Sequence, residues 1–295
     1  MKKAYIILVH KNPKQLYRLI KMLDDELSHF FIHVDKRADI VQFNCLAHFK
    51  SKVEFITREV TEWGGFGLVN AVLNGLRAVR ESKKNISHII LLSGQDYPIK
   101  SNQYINKFIS ENKNNFLEYF PLPNPQKWKP DGGMYRIDKY FFGLKLHHKY
   151  AAKTMNLMSR FFPSLRRKKL EGMKAHAGSM WWIIDKYSAD YILDYVNNNP
   201  DYVAFHRHTF APDELFFHTI LLNAKDERIS SSIINNNKRY IKWRDRDASH
   251  PETITSKYFD DMKASDALFA RKFDLSTDSE VLNLIDENFI FIDGL

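Results

Sequence analysis

The stretch HIILLSGQDYPIK, from His88 to Lys100, decides the fold of this chain. Its apolar run 89–92 predicts a buried strand, because an unbroken apolar run is typical of a strand that is covered on both faces. A small residue, a glycine, an amide and a carboxylate follow at Ser93–Asp96, and Pro98 ends the strand. A turn alone explains the glycine and the proline, but not the amide and the carboxylate. The stretch therefore predicts a buried strand that ends in a functional loop.

The sequence before this stretch alternates between strand and helix patterns. Apolar runs rich in β-formers predict three earlier strands, and helical spacing predicts a helix after the first strand and another over 68–81. These strands are KAYIILVH (3–10), HFFIHVD (29–35) and VEFIT (53–57). Such alternation predicts a mainly parallel sheet with right-handed crossovers, flanked by helices. Ligands of such sheets bind beyond the carboxyl ends of the strands.

The second half of the chain has a less regular pattern. Strands are predicted for FLEYF (116–120), AGSMWWIID (177–185) and RYIKW (239–243), and helices for 187–197, 213–223 and 278–287. The charged region 126–170 yields no assigned element. Because no repeat and no long linker interrupts the pattern, we expect one domain over residues 1–295.

Length and composition restrict the class of protein. At 295 residues with 44% hydrophobic and 14% aromatic residues, the chain can bury a sizeable core. No apolar run reaches about 18 residues, and MKKAYIILVH resembles a first strand more than a signal peptide. The single cysteine, Cys45, excludes an intrachain disulfide. We therefore expect a protein of a reducing compartment, in the cytoplasm.

The net charge of +9 and the isoelectric point near 9.3 indicate an anionic partner. Nucleic acid, an anionic membrane face and a phosphorylated substrate all fit this charge, and a solvated basic surface is the plainer alternative. The basic residues are spread along the chain, with local clusters at Ser164–Lys169 and Lys238–Arg246. No nucleic-acid motif is visible in the sequence.

Polar residues follow all four predicted strands of the first half. They are Val9-His10, Asp35, Glu62–Gly65 and Gly94–Asp96. Asp35 could accept hydrogen bonds from a base or ribose, and the glycines after Trp63, Gly64 and Gly65, would let a ligand approach the backbone. The chain has neither Gly-x-Gly-x-x-Gly after the first strand nor a phosphate-loop motif, which argues against a dinucleotide fold and a phosphate-loop ATPase.

The loop after the fourth strand resembles the place where many nucleotide-sugar transferases carry Asp-x-Asp. Here it reads Gly94-Gln95-Asp96, and one carboxylate is a poor site for Mg²⁺ or Mn²⁺. A literal Asp-x-Asp occurs at Asp245–Asp247, beside arginines, and remains an alternative metal site. Without a metal, a diphosphate needs another counter-charge, for which Arg239, Arg271 and Lys272 are candidates.

The stretch FAPDELFFHTILLNA (210–224) contains two acids at the start of a predicted helix. Pro212 is typical of a first helical turn, and Asp213 and Glu214 follow it. Acids in a first turn are favoured by the helix dipole, which is a purely structural explanation. The same dipole would keep Glu214 ionised, as a general base requires, and the sequence leaves both explanations open.

Five motifs in order resemble one carbohydrate-enzyme family, the core-2/I-branching β-1,6-N-acetylglucosaminyltransferases and peptide O-xylosyltransferases (glycosyltransferase family 14). They are VEFITREVTEWGGFGLVNAVLNGL, ILLSGQDYPIKS, AGSMWWIIDK, APDELFFHTILLNA and DALFARKFD. The resemblance runs from about Ala4 to Asp274. EWGG and FFHTILLNA are closer to the xylosyltransferases, whereas PDE and FARKFD are closer to the branching enzymes.

The resemblance implies a GT-A-like fold, a UDP-sugar donor, inversion at the anomeric carbon and no metal requirement. It implies that Val9-His10 and Asp35 hold uridine, that Glu214 is the catalytic glutamate and that Lys272 binds the diphosphate. Spacing puts the family's partner arginine near Ser249-His250, where this chain has none, so Arg239, Arg244 or Arg246 would replace it. The full predicted donor site is Val9, His10, Asp35, Trp63, Gly64, Gln95, Asp96, Arg239, Arg271 and Lys272.

We predict that the acceptor site includes Glu118, Ser179, Trp181 and Trp182; core packing of both tryptophans is the alternative to sugar stacking. Residues 1–125 would form the nucleotide-binding half and 126–295 the acceptor and catalytic half. The expected activity is metal-independent β-transfer of GlcNAc or xylose, without a cofactor, to a glycan or glycolipid in bacterial surface polysaccharide synthesis.

We expect no nucleic-acid partner and a cytoplasmic enzyme, with possible peripheral contact with an anionic inner membrane. A metal-dependent GT-A transferase and a non-enzymatic polyanion-binding protein are the rival hypotheses.

Overall fold

The first strand, β1 (Lys2–Val9), is buried along seven of its eight residues and lies inside the main sheet. The computed structural model describes residues 1–49, 52–167, 170, 172–245, 248 and 250–290. The further strands are β2 Ser28–Val34, β3 Val53–Phe55, β4 Ile86–Ser93, β5 Asp96–Pro98, β6 Asn115–Phe116, β7 Tyr119–Pro121, β8 His176–Gly178, β9 Ile183–Asp185, β10 Ile233–Ile234, β11 Arg239–Ile241 and β12 Phe269–Arg271.

Eleven α-helices lie in the described residues. They are α1 Pro13–Leu23, α2 Gly67–Glu81, α3 Asn102–Glu111, α4 Tyr135–Asp138, α5 Leu146–Phe161, α6 Lys186–Asn198, α7 Pro200–His206, α8 Phe216–Leu222, α9 Glu227–Ser230, α10 Phe259–Ala264 and α11 Glu280–Ile285. Short 3₁₀ segments cover Ile40–Phe49, Pro163–Leu165, Pro212–Glu214 and Ser256–Tyr258, and a π-helical turn covers Asp286–Ile290. Within the described residues, no helix is long and apolar enough to cross a membrane.

The main sheet has seven strands in the order β10-β6-β9-β4-β1-β2-β3. The neighbours β4, β1, β2 and β3 run parallel, whereas β9 runs antiparallel to both β4 and β6. Alternate residues of β1 enter two different core clusters, one with Tyr5 and one with Ile6. Helices therefore cover both faces, and the prediction of an α/β fold with a mainly parallel sheet is confirmed.

A small sheet, β11-β12-β5, lies at the loop that follows β4. Its strands β5 and β12 are antiparallel, and their register places Asp96 directly opposite Arg271. Side chains that face each other across such a ladder are close enough to interact. The C-terminal part of the chain thus returns to the end of β4, and β9 from the same part lies beside β4 in the main sheet.

Two predicted strands of the second half are each split. FLEYF contains β6 and β7, and AGSMWWIID contains β8 and β9, with β7 and β8 forming a separate two-stranded sheet. The chains of β7 and β8 approach closely, since a Cβ on Gly178 would lie 1.9 Å from the carbonyl oxygen of Glu118. The chain changes sheets after each of these short strands, so a continuous strand was the wrong prediction for both motifs.

The helix predicted over 213–223 also begins later than expected. Pro212–Glu214 forms a 3₁₀ turn, Leu215 leaves the helical region with φ −125°, and α8 starts at Phe216. Asp213 and Glu214 therefore lie in the 3₁₀ turn just before α8, and the helix-dipole explanation for their position stays open beside the catalytic one. The region 126–170, for which no element was assigned, contains the two helices α4 and α5.

Candidate active site

The carboxyl ends of β4, β1 and β2 meet at one edge of the sheet, as the parallel order requires. The backbone nitrogen of Asp35 donates to the carbonyl of Val9 at 2.8 Å, and that of Gly94 donates to Leu8 at 2.9 Å. Val9 is buried, whereas His10 is exposed on the rim. The predicted juxtaposition of these strand ends is confirmed, and the individual roles of the residues stay predictions.

Asp96 is completely buried in the loop after β4. Its carboxylate accepts hydrogen bonds from the backbone nitrogen of Ser93 at 3.0 Å and from Ser93 Oγ at 2.7 Å. Its Oδ1 also lies 3.2 Å from Nε of Arg271, as the strand register predicts. The charge of Asp96 is therefore matched by an arginine from the same small sheet.

Arg271 joins this carboxylate to the first of the paired tryptophans. Its guanidinium lies 4.1 Å from the centre of the Trp181 ring, a cation–π distance. Burial lowers the pKa of Arg271, and the attraction of Asp96 partly opposes that effect. Trp181 is buried beneath the guanidinium, and Trp182 is fully buried against Phe217. Both indoles are core residues, so the structure does not present either ring for stacking on an acceptor sugar.

Lys272 and Arg239 differ in what their charges contact. Lys272 is partly buried, and its ammonium makes no hydrogen bond or ion pair with another described residue. Arg239 is buried and donates from Nη1 to Asn237 and from Nη2 to Leu91, both at backbone carbonyls, at 2.8 and 2.9 Å. Burial lowers the pKa of Arg239 to about 10. Lys272 is thus available to an anion, whereas Arg239 is already used to hold β11 against β4.

Two glutamines fasten the β4 loop to the segment after β12. The side chain of Gln95 donates to the carbonyl of Phe273 at 3.2 Å. The buried amide of Gln15 donates to Gly94 and Phe273 and accepts from the nitrogen of Leu275 at 3.1 Å. Gln15 was not identified from the sequence, since its partners lie 79 and 258 positions away. These bonds hold Lys272 beside the end of β4.

Asp35 is buried and saturated with protein donors. Arg37 donates to it from the backbone and from its guanidinium at 2.8–3.0 Å, and Thr61 donates from its nitrogen at 2.9 Å and from its hydroxyl. Burial raises the pKa of Asp35, but these hydrogen bonds outweigh it and hold the pKa well below its usual range. A nucleoside that bonds to Asp35, as predicted, must therefore displace Arg37 or Thr61.

The loop that contains Thr61 continues to Trp63 and Gly64. Trp63 is half exposed, and its ring makes an edge contact with Phe210 at 5.3 Å. Gly64 has φ +74°, and a Cβ there would lie 2.7 Å from the Phe210 ring. The side chain of Phe210 thus explains the glycine that the sequence assigned to the approach of a ligand. The carbonyl oxygen of Gly64 also accepts a hydrogen bond from the backbone nitrogen of Ala211. The loop therefore links Asp35 to the turn that contains Glu214.

Glu214 is the accessible carboxylate of this region, with 36% of its side chain exposed. Its Oε2 accepts from Nη1 of Arg136 at 2.5 Å. The Arg136 guanidinium lies 3.6 Å from the centre of the Trp128 ring, which fixes its position. No hydrogen bond from a described residue engages Oε1 of Glu214. The sequence did not reveal Arg136, because it lies 78 positions before its partner in a region without an assigned element.

Asp213, the neighbour of Glu214, has a different environment. It is buried, and its Oδ1 has no hydrogen-bond partner among the described residues. Burial and the adjacent charge of Glu214 raise the pKa of Asp213 to about 7. The two acids of the PDE motif are therefore distinguished by burial and by their contact with arginine.

The other predicted acceptor residues lie where the chain crosses between sheets. Glu118 accepts from the side-chain amide of Asn237 at 2.8 Å, and its carbonyl accepts from the nitrogen of Ser179 at 3.2 Å. Both are partly buried. The exposed Asp245 accepts from Arg244, whereas Arg246, Asp247 and Ser249 lie outside the described residues. No group of three potential metal ligands occurs within the part of the chain that the structure describes.

Comparison with known proteins identifies the family. Residues 3–267 match the sequence model described as Core-2/I-Branching enzyme. The chain belongs to this family. Its mainly parallel sheet flanked by helices is accordingly a fold of the GT-A type, as the sequence resemblance implied.

Curated relatives of this Core-2/I-Branching family member include mammalian xylosyltransferases. Xylosyltransferase 2 is 28% identical in Mus musculus and 29% identical in Homo sapiens, over 96% of this chain and 33% of the relative. Xylosyltransferase 1 of Homo sapiens is 26% identical over 96% of this chain and 30% of its own length. The chain thus spans about a third of the length of these relatives.

Proposed function

We propose that the chain is a glycosyltransferase that moves a sugar from a UDP-sugar to a hydroxyl of a glycan, with inversion and without a metal. Family membership supports glycosyl transfer, and the names of the relatives favour xylose, with GlcNAc as the second donor sugar. The structural observation that carries the proposal is the ammonium of Lys272 at the carboxyl end of the sheet, which has no hydrogen-bond or ion-pair partner among the described residues. Ligands of such folds bind at this end.

The leaving diphosphate would be stabilised by Lys272, with the guanidinium of Arg271 nearby. A lysine ammonium that pairs with no described residue can bind phosphate oxygens as they gain charge. Asp96 is poorly placed to hold a cation, because its oxygens face Arg271 and the donors of Ser93. These contacts support a mechanism in which protein cations take the part that a divalent metal has in other transferases.

Glu214 is proposed as the general base. Its Oε1, which accepts no hydrogen bond from a described residue, would take the proton of the acceptor hydroxyl while the hydroxyl oxygen attacks C1 of the donor sugar. The bond between C1 and the diphosphate oxygen breaks on the opposite face, UDP leaves, and the proton remains on Glu214 until solvent removes it. The role of Arg136 is to orient the carboxylate through Oε2.

The role of the strand ends would be to hold the nucleoside. His10 is exposed beside Val9 on the rim, and the loop of Trp63 extends from Asp35 to the turn of Glu214. A donor held there would place its diphosphate toward Lys272 and its sugar between Lys272 and Glu214.

The test is release of UDP from a panel of UDP-sugars in the presence of EDTA, with water or simple glycosides as acceptors. We expect slow turnover of at least one donor, and a fall of about 10²-fold or more in kcat for Glu214→Gln with donor affinity unchanged. Asp213→Asn is the matched control and should have a milder effect. Turnover that requires Mn²⁺ would contradict the metal-independent mechanism, and near-normal turnover of Glu214→Gln would remove Glu214 as the base.

A further inference from the structure

The excess positive charge of the chain comes from one segment, residues 139–170. This segment contains nine of the 44 lysines and arginines and no aspartate or glutamate. The rest of the chain therefore has 35 basic and 35 acidic residues and is neutral overall. A net charge that is confined to about a tenth of a chain indicates a local contact with an anionic surface more than a general basic character.

Most of this segment is the helix α5, none of whose residues is buried. The side chains that face the protein share one side of the helix, and Asn156 on that side exchanges two hydrogen bonds with the backbone of Tyr140 at 2.7 and 3.0 Å. The members of this inner side, all of them partly exposed, are His148, Ala152, Met155, Asn156 and Ser159. The helix is thus attached to the protein along this inner side, and none of its side chains is fully buried.

The opposite side of α5 is an apolar stripe of Leu146, Tyr150, Leu157 and Phe161. Their exposed fractions are 69%, 63%, 50% and 71%. At 3.6 residues per turn these four side chains fall within one narrow arc, directly away from the inner side. The outward side of an ordinary surface helix is polar, so this arrangement reverses the usual pattern. Phe162, at 49% exposure, extends the stripe past the end of the helix.

Basic side chains flank the stripe along one side. Lys149, Lys153 and Arg160 lie next to it at helical spacing, and Lys145 precedes the helix. All four are exposed. An apolar stripe beside a row of cations, on a helix that lies along the surface, is the pattern of helices that lie in the interface of a lipid bilayer.

We propose that α5 and Phe162 dock the protein on an anionic lipid surface, with the helix axis parallel to the membrane. Lipid headgroups supply the negative charge and the acyl boundary takes up the stripe. A second copy of the chain is a poor occupant, since two segments with nine cations and no acid would repel each other. Nucleic acid would match the charge but offers no apolar layer for four large side chains.

The docking helix is connected to the candidate base by a short path. Arg167, at the end of the segment, donates to the carbonyls of Arg136 and Phe205 at 3.1 and 2.7 Å and to the hydroxyl of Thr209 at 2.9 Å. Arg136 is the residue that pairs with Glu214. Docking goes beyond the proposed transfer reaction and does not depend on it, and it would bring the acceptor side of the protein close to glycans that are attached to lipids.

The experiment is sedimentation of the purified chain with vesicles of phosphatidylcholine alone or with about a third phosphatidylglycerol, at low and high salt. We expect binding to the anionic vesicles only, weakening as salt rises. The triple variant L146S/L157S/F161S should lose more than about tenfold in affinity, since its apolar side chains no longer enter the interface. The variant K145Q/K149Q/K153Q should lose about fivefold for each charge.

The matched control is K21Q/K107Q/K113Q, which removes the same charge from exposed positions elsewhere and should change affinity less than about twofold. Circular dichroism and the melting temperature confirm that all variants fold. Absence of vesicle binding by the wild type at low salt would overturn the proposal. Equal losses in the control, unchanged vesicle binding of the apolar variant, or a wild-type dimer that this variant abolishes would overturn it as well.

Discussion

Asp96 and Glu214 each pair with an arginine, but the two pairs lie in different surroundings. Asp96 is 0% exposed, its partner Arg271 is 14% exposed, and the carboxylate also accepts two hydrogen bonds from Ser93. Glu214 is 36% exposed and uses one oxygen for Arg136. The carboxylate of Asp96 is enclosed by hydrogen-bond donors of the protein, whereas Glu214 is partly exposed and only its Oε2 is bonded to a described residue.

This difference separates a structural carboxylate from one that can do chemistry. A buried acid that is surrounded by hydrogen-bond donors fixes the loop and the cation around it. Replacing these contacts by contacts with a substrate would cost much free energy. An accessible acid that is oriented by an immobile arginine can be reached by a substrate hydroxyl and can accept its proton. Both acids stand in motifs that the sequence analysis assigned to the site, and their burial and hydrogen-bond donors distinguish them only in the structure.

The largest expected effect on stability is that of Asp96→Asn. This change leaves the buried charge of Arg271 without its partner, and we expect a loss of about 3–5 kcal/mol in the free energy of unfolding. Glu214→Gln, at the more exposed pair, should cost about 1 kcal/mol or less. Urea denaturation measures both values.

The double variant D96N/R271M provides the control for this comparison. It removes both partners, so its cost should be smaller than that of Asp96→Asn alone. Equal losses for the Asp96 and Glu214 variants would show that the two pairs are not different in kind.

The next effect concerns the pH dependence of stability at Asp213. Because its pKa is raised to about 7 in the folded protein, the folded state keeps a proton that the unfolded state loses near pH 4. The free energy of unfolding should therefore fall as pH rises from about 4 to about 7, by up to about 4 kcal/mol, and Asp213→Asn should remove this contribution. Melting temperatures at pH 5 and 8 test it; an identical slope in the variant would contradict the burial of a protonated Asp213.

A smaller effect is expected at Lys272. Lys272→Ala should weaken the binding of UDP by about 1.5–3 kcal/mol, since it removes a charge-assisted contact. The affinity for uridine should stay unchanged. Calorimetry with both ligands makes the comparison. The neighbouring exposed Lys11 pairs with Asp274, so Lys11→Ala is a suitable control. Equal losses of affinity for UDP and for uridine would show that Lys272 does not contact the phosphates.

The smallest effect should follow from removal of the literal Asp-x-Asp. The double variant D245N/D247N should leave UDP release in EDTA unchanged, and D245N alone should change stability by less than about 0.5 kcal/mol. Asp245 is half exposed and accepts from Arg244, a surface contact of little energetic weight. A large loss of turnover that Mn²⁺ modulates would favour the metal-dependent alternative.

The elements that were predicted correctly depend on local pattern. β1, β2 and β4 are long apolar runs, and the residues of α1 that face the core follow helical spacing. Their order along the chain was sufficient to place the polar strand ends at one edge of the sheet. The local pattern was misleading at Gly178, where one continuous strand was predicted and two are found. The chain there lies close to the carbonyl of Glu118, which is 60 positions away and leaves no local signal.

The parts of the site that were missed depend on long-range contacts. Arg136 meets Glu214 from 78 positions away, and Gln15 bonds to Phe273 across 258 positions. Gln15 lies in the predicted helix α1 and Arg136 in a region without an assigned element, and neither local pattern indicates the distant partner. The burial of Trp181 beneath Arg271 was likewise open in the sequence, since a tryptophan pair fits both a core and a sugar platform.

The central claim is that protein cations, and not a metal, hold the diphosphate of a UDP-sugar at the end of β4. Titration calorimetry of the wild-type chain with UDP in EDTA, repeated with Mn²⁺ in its place, tests it most directly. We expect binding in EDTA with an affinity that Mn²⁺ changes by less than about twofold, and a rise in melting temperature that grows with UDP concentration. Absence of binding in EDTA, or binding only with Mn²⁺, would contradict it.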